Sequence, residues 1–173
     1  IRKIVLDLRA FASPDKGIVD LVNLEALIES VINVVWNEIK YKAELKREYA
    51  HVPPISCDPQ KVGQVLVSIL INAAQSIEGK GDITVRTYTE GENVLVDIAD
   101  TGCGISPENI TRIFDPFFTT KPVGQGVGLG LSVSYDIIKK HGGTITFKTQ
   151  TGRGTTFTVQ LPATAYVADS SQL

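Results

Sequence analysis

Cysteine is scarce in this chain: there are two in 173 residues, Cys57 and Cys103, far apart and with no C-x-x-C between them. They could pair, but two reduced thiols in a cytoplasmic protein is the plainer reading. Long apolar runs are missing as well. Nothing approaches the ~18 residues of a membrane span, and no signal-peptide pattern opens the chain, so a cytoplasmic location is expected. In that setting the sequon Asn109-Ile110-Thr111 is a chance match. No charge of one sign dominates either. The formal net charge of −2 argues against a broad nucleic-acid or membrane footprint, leaving room only for a local basic patch. Histidine is limited to His51 and His141. What is present, 43% apolar and 21% charged residues, describes an ordinary globular protein long enough for one domain plus an appendage.

Ile1, Ile4, Val5, Leu8 and Phe11 recur at helical spacing without a preceding cap, which reads as the end of a longer helix. Residues 13–17 then form a linker, and the domain proper runs over 18–162. A short strand at 19–22 leads to Asn23, a cap for a helix that buries Leu24, Leu27, Ile28, Val31, Val35 and Ile39. Strands follow at 44–50 and 55–57. Asp58-Pro59, a capping side chain before a proline, starts a helix that reaches Ile77. Its core face uses Val62, Val65, Leu66, Ile69, Leu70, Ala73 and Ile77. A hairpin of strands 82–89 and 93–99 turns at Gly91. Ser106-Pro107 predicts a short helix reaching Phe114, and residues 115–127 a loop. A helix over 128–140 ends at His141-Gly142-Gly143, before a second hairpin of strands 144–149 and 155–161. The tail, 163–173, reads as unstructured. This mixture points to an α+β sandwich, a largely antiparallel sheet with helices on one face.

The chemistry gathers between Asp100 and Gly130. Gly124, Gly126, Gly128 and Gly130 alternate just before a helix, where backbone can approach an anion and the helix N-terminus favours it. Neither a Walker-type nor a dinucleotide fingerprint fits this spacing, and a flexible tight turn is the alternative. Asp100 closes a strand whose Val94, Val96 and Ile98 share a face. A buried carboxylate there needs a donor, which the exocyclic amine of adenine can supply, with Gly102 and Gly104 leaving room for the ring. Asp-Thr-Gly also reads as a plain turn. Asn72 lies off the apolar stripe of its helix, with Ser68, Gln75 and Ser76 on the same side. Such a stripe can be merely solvated. An amide oxygen can also bind Mg²⁺, which completes its shell with water and phosphate oxygens.

These stretches together resemble the catalytic and ATP-binding domain of bacterial sensor histidine kinases, in the superfamily shared with gyrase and heat-shock chaperone ATPases. Q-V-L-V-S-I-L-I-N-A-A-Q-S-I resembles the N box, D-I-A-D-T-G-C-G-I the first glycine box, I-F-D-P-F-F-T-T-K the phenylalanine box and G-V-G-L-G-L the second glycine box. G-R-G-T-T-F resembles the closing strand. The F-F-T-T-K and N-A-A-Q-S forms are most similar to the nitrogen-regulation branch. The resemblance implies a Bergerat-type sandwich with ATP between the Asn72 helix and a lid over 103–127. It implies Mg²⁺ at Asn72, adenine at Asp100 with Thr155 in support, and a nucleotide cradle from Gln75, Ser76, Gly102, Gly104 and Ile105. From the lid and second glycine box it adds Phe114, Thr119, Thr120, Lys121, Gly126, Val127, Gly128, Leu129, Gly130 and Leu131. Asn72 and Lys121 would carry the chemistry, Lys121 by reaching the terminal phosphate. Phe114, Phe117 and Phe118 would anchor the lid by packing.

Three positions depart from the pattern. Ser68 stands where hydrolysing relatives carry a glutamate that activates water, and a hydroxyl is a poor base at neutral pH. Gln75 replaces a frequent lysine, and Val127 a threonine or serine. Neither His51, in A-H-V-P-P, nor His141, in K-K-H-G-G, has the acidic neighbour and helical setting of a phosphoacceptor. The 1–11 helix resembles the end of a dimerisation helix. The expectation is therefore a monomeric fragment of a homodimeric parent, whose phosphate would pass from a histidine-bearing dimerisation domain to a response regulator receiver domain. A stand-alone ATPase and a nucleotide-holding regulatory module are the alternatives.

Overall fold

The computed structural model describes residues 17–122 and 126–163. The helix expected over 1–11, Gly124 and the tail beyond Ala163 lie outside the described residues. The order is β1 (Asp20–Val22), α1 (Leu24–Ile39), β2 (Ala43–Tyr49), β3 (Ile55–Cys57), α2 (Pro59–Ser76), β4 (Gly81–Glu90), β5 (Asn93–Asp100), α3 (Gly130–Lys140), β6 (Thr144–Gln150) and β7 (Gly154–Pro162), with a 3-10 turn at Ile110–Arg112.

Local chemistry sets the helix starts. Asn23 Oδ1 accepts the Ala26 N–H at 2.9 Å and opens α1. Asp58 Oδ1 accepts from Gln60 N and Lys61 N at 2.9 and 3.1 Å, with Pro59 in the first turn, and opens α2. Five strands pair in the order β2-β4-β5-β7-β6; β2 runs parallel to β4 and every other neighbouring pair is antiparallel. Alternate residues Ile83, Val85, Val94, Val96, Ile98, Phe157, Val159 and Leu161 face the helices and are buried with the inner faces of α1 and α2. Burying one such Leu or Ile contributes about 1.5–3 kcal/mol, so this shared layer holds the helices to the sheet. The expected α+β sandwich is the fold observed.

Several local expectations need correction. Residues 106–114 do not form a helix beyond the 3-10 turn. Ser106 closes a turn instead of capping: its carbonyl accepts from Asn109 N and its Oγ accepts from Asn109 Nδ2. Ile113 is then drawn into the core. The third helix begins at Gly130, not 128, because Gly128 has φ +73°, outside helical backbone. Ile32 joins the buried face of α1 in addition to the residues anticipated, while Leu27 is only partly buried. Strands β1 and β3 pair with each other as a separate two-stranded sheet, a partnership that no local pattern signals.

Candidate nucleotide site

Asp100 is the last residue of β5, on the helix-facing side and 9% exposed. Its Oδ1 accepts three donors: Gly102 N at 2.8 Å, Ser76 Oγ at 2.9 Å and Thr155 N at 3.3 Å. Oδ2 has no protein donor among the described residues. Burial pushes this carboxyl above its ordinary pKa, and the three donors pull the other way without cancelling the effect. A carboxylate held so firmly by one oxygen, with the other bare, is set to accept a donor from outside the protein.

The flanking glycines have a different cause from the one expected. A Cβ on Gly102 would stand 2.0 Å from Ser76 Oγ and 2.6 Å from its carbonyl oxygen. A Cβ on Gly104, at φ +71°, would stand 2.4 Å from Gln150 O. These glycines therefore let the chain press against α2 and the β6–β7 turn; the close approach they allow is to protein. The loop is also held by Cys103 N donating to Ser76 O at 3.0 Å and Gly152 N donating to Cys103 O at 2.7 Å. Thr149 was missed by the sequence reading. Its Oγ1 accepts from Ile105 N and lies 2.9 Å from Thr155 Oγ1, tying the first glycine loop to the strands behind Asp100. A threonine in a strand reads as an ordinary β-former, so no signal marked it.

On α2, Asn72, one turn back from Ser76, and Gln75, next to it in sequence, aim at a common cation. Lys121 Nζ donates to Asn72 Oδ1 at 2.9 Å and to Gln75 Oε1 at 2.5 Å. Among the described residues no cluster of three or more His, Cys, Asp or Glu could hold a metal ion. A divalent ion here would depend on these amide oxygens together with phosphate and water oxygens, which is how magnesium is commonly bound. The ammonium already standing there shows that the pair attracts a cation, so the residues fit the group.

Helix α3 starts beside this pair. Its cap residue, Leu129, gives no side-chain hydrogen bond, so among the described residues no capping side chain holds the first-turn N–H groups of α3, where an anion is favoured. Gly130 packs on Ser68: a Cβ there would stand 2.5 Å from Ser68 Oγ. Gly126 borders Thr119 and Lys121, and Val127 and Leu131 are half-buried. Thr120 is exposed. Phe114 faces inward, its ring 5.4 Å from Tyr135 and 5.9 Å from Phe147, in the anchoring role foreseen for the aromatics. Phe118 also packs on the core, but Phe117, expected to pack with them, does not: it is 71% exposed at φ +66°, a conformation unusual for a bulky residue, because its N–H is pinned to Gly128 O at 2.8 Å.

The histidines are placed clearly. His141 is 4% exposed; its Nε2 accepts from Asp58 N at 3.1 Å and its Nδ1 meets Ile137 O at 2.8 Å. His51 does have an acidic partner, which the sequence had hidden: Nδ1 lies 3.2 Å from Glu25 Oε2. It sits outside any helix, at φ +53°.

A sheet covered on one face by helices, with a polar strand end, an amide pair and a helix N-terminus converging beside it, defines a nucleotide-binding domain of the Bergerat type. Residues 57–165 match the model of the family described as Histidine kinase-, DNA gyrase B-, and HSP90-like ATPase, and the chain belongs to that family. Sensor histidine kinase ZraS of Escherichia coli (strain K12) is 35% identical over 164 residues, 94% of this chain and 35% of that protein. Signal transduction histidine-protein kinase AtoS of the same strain is 38% identical over 168 residues, 94% of this chain and 27% of its own length. The chain thus spans about a third of the curated relatives it matches, by the 35% and 27% shares above. Among solved structures, the nucleotide-free catalytic domain of histidine kinase ThkA aligns with TM-score 0.75 and 30% identity, over 84% of this chain and 96% of that one. Full-length ShkA in complex with AMPPNP aligns with TM-score 0.77 and 25% identity, over 96% of this chain and 36% of that one.

Proposed function

We propose that this chain is the ATP-binding catalytic domain of a cytoplasmic sensor histidine kinase module, which delivers the γ-phosphoryl group of ATP to a histidine on a separate dimerisation domain. A response regulator receiver domain would then take the phosphate from that histidine. The observation that carries the reading is Asp100, with Oδ1 held by Ser76, Gly102 and Thr155 and Oδ2 left to face a ligand.

Each group has a task that its setting supports. Asp100 Oδ2 accepts the exocyclic amine of adenine, and the three donors on Oδ1 fix the carboxylate plane. The first-turn amides of α3 receive phosphate oxygens. Lys121, on a stretch reaching across to α2, supplies positive charge at the terminal phosphate. Asn72 and Gln75 offer the amide oxygens that would hold Mg²⁺; when bound, the ion neutralises charge developing on the transferred group. Ser68 lacks the basicity to activate water, which disfavours hydrolysis. The acceptor must come from elsewhere. Both ring nitrogens of His141 are engaged and buried, and His51 stands on the loop beside α1, against Glu25.

Calorimetric titration of the chain with ATP, GTP and ADP in Mg²⁺ buffer, followed by a phosphate-release assay, tests the site. The proposal expects ATP to bind, GTP to bind far more weakly because its ring presents a carbonyl where adenine has the amine, and phosphate release to stay at background. Equal binding of GTP would remove the adenine assignment. Steady release by the chain alone would favour a stand-alone ATPase.

A further inference from the structure

Asn72 and Gln75 sit three residues apart on one face of α2, and their amide oxygens converge on Lys121 Nζ. The lysine is guided there at both ends. Its backbone N–H donates to Thr119 Oγ1 at 3.1 Å, and its Cδ would lie 3.2 Å from a Cβ on Gly126, so a side chain at 126 would crowd its path. The contact joins a position the nucleotide reading gives to the metal with a position it gives to the phosphates.

We propose that Lys121 is a built-in cation occupying the Asn72–Gln75 amide oxygens, which magnesium and nucleotide must displace, so that loading of this site is a cation exchange. This rests on the nucleotide reading of the site. Magnesium bonds its oxygen ligands at about 2.0–2.1 Å, within the space an ammonium on the same oxygen takes up. Two cations sharing one partly desolvated oxygen repel strongly, so Asn72 Oδ1 serves one at a time. The incoming phosphates bring the negative charge that receives the released ammonium. A triphosphate offers it a terminal group, whereas a diphosphate offers less and leaves the cost of displacement unrecovered. Lys121 therefore favours the triphosphate over the diphosphate by penalising the latter.

The test uses Lys121→Ala and Gln75→Leu with the parent chain. Calorimetry reads binding of ADP and of AMPPNP in Mg²⁺, and hydrogen exchange without nucleotide reads residues 115–122. The expected result is that Lys121→Ala binds ADP more tightly, by about tenfold, the size of one charge-assisted hydrogen bond, while binding AMPPNP more weakly. Gln75→Leu also removes an oxygen assigned to Mg²⁺, so it is read without nucleotide, where exchange of residues 115–122 should quicken by less than in Lys121→Ala. Without nucleotide, residues 115–122 of Lys121→Ala should exchange about tenfold faster than in the parent, for the same reason. ADP affinity that is unchanged or reduced in Lys121→Ala overturns the proposal, and so does unchanged exchange. If the parent bound neither nucleotide, the reading of the site would fail on its own account, and the nucleotide-free exchange would still decide whether Lys121 holds the amide pair.

Discussion

Replacing Asp100 with asparagine changes one oxygen to an amide nitrogen and alters almost no volume. The three donors on Oδ1, at 2.8, 2.9 and 3.3 Å, fix how the asparagine must turn. Its carbonyl oxygen has to keep them, so the NH₂ group takes the Oδ2 position and presents a donor where adenine also presents one. ATP then loses a hydrogen bond to a charged acceptor, a term of about 1.5–3 kcal/mol, or about tenfold to a hundredfold in affinity. Folding stability should respond in the opposite sense. The Asp100 pKa is raised, chiefly by burial, so its contribution to stability is greatest at acid pH and falls as pH rises through the folded pKa. At neutral pH the asparagine removes that liability, and Tm should hold or rise. At pH below the ordinary aspartate value both side chains are neutral and the difference should vanish. Displacement of a fluorescent nucleotide gives the affinity and thermal melts give Tm. A variant that bound ATP within threefold of the parent while melting several degrees lower would refute the reasoning and make Asp100 a structural residue.

Gly102→Ala places a methyl group 2.0 Å from Ser76 Oγ and 2.6 Å from the Ser76 carbonyl. It should cost about 1–3 kcal/mol in urea unfolding by overpacking, and a neutral result would mean the loop has slack at α2. The two thiols should separate sharply on labelling at pH 8. Cys103 is exposed, while Cys57 is buried with its pKa pushed up to about 11, chiefly by burial. One thiol should react at once and the second only on unfolding, and two fast thiols would contradict the packing. Glu29 is held below its ordinary pKa, first by the Arg47 guanidinium and with help from the Tyr49 hydroxyl, against a desolvation cost. Its stabilisation is present above the ordinary glutamate pKa and lost as pH falls through the lowered folded value. Glu29→Gln should therefore lose about 0–1 kcal/mol at pH 7, since its side chain is 39% exposed and screened, and progressively less as pH falls toward 3. An equal loss at both pH values would argue against the ion pair.

Much of this fold was legible because local rules and tertiary packing agree. The α2 stripe from Val62 to Ile77 is buried as its spacing requires, and Asp58-Pro59 starts the helix where capping chemistry says it should. The motifs were readable for the same reason, since Asp100 ends a strand whose alternate residues are apolar. What was hidden depended on contacts distant in sequence. The β1–β3 pairing, the Glu25 partner of His51 and the Thr149 link to Ile105 and Thr155 each join segments that carry no local mark of one another. The failed helix at 106–114 shows the converse: Ser106-Pro107 is a legitimate start, but its serine bonds Asn109 as a turn, and of residues 107–113 only Ile113 enters the core. Gly102 and Gly104 read in the sequence as room for an adenine ring, and only the structure shows that the space they leave is taken by Ser76 and Gln150.

The most direct measurement mixes the chain, Mg²⁺ and ATP labelled at the γ-phosphate with a separately produced helical-hairpin domain bearing a histidine, then follows label by gel after acid and base treatment. The account predicts acid-labile, base-stable label on the hairpin domain, none on this chain, and loss of transfer in Asp100→Asn. Label released steadily as inorganic phosphate, with none on the hairpin domain, would contradict it.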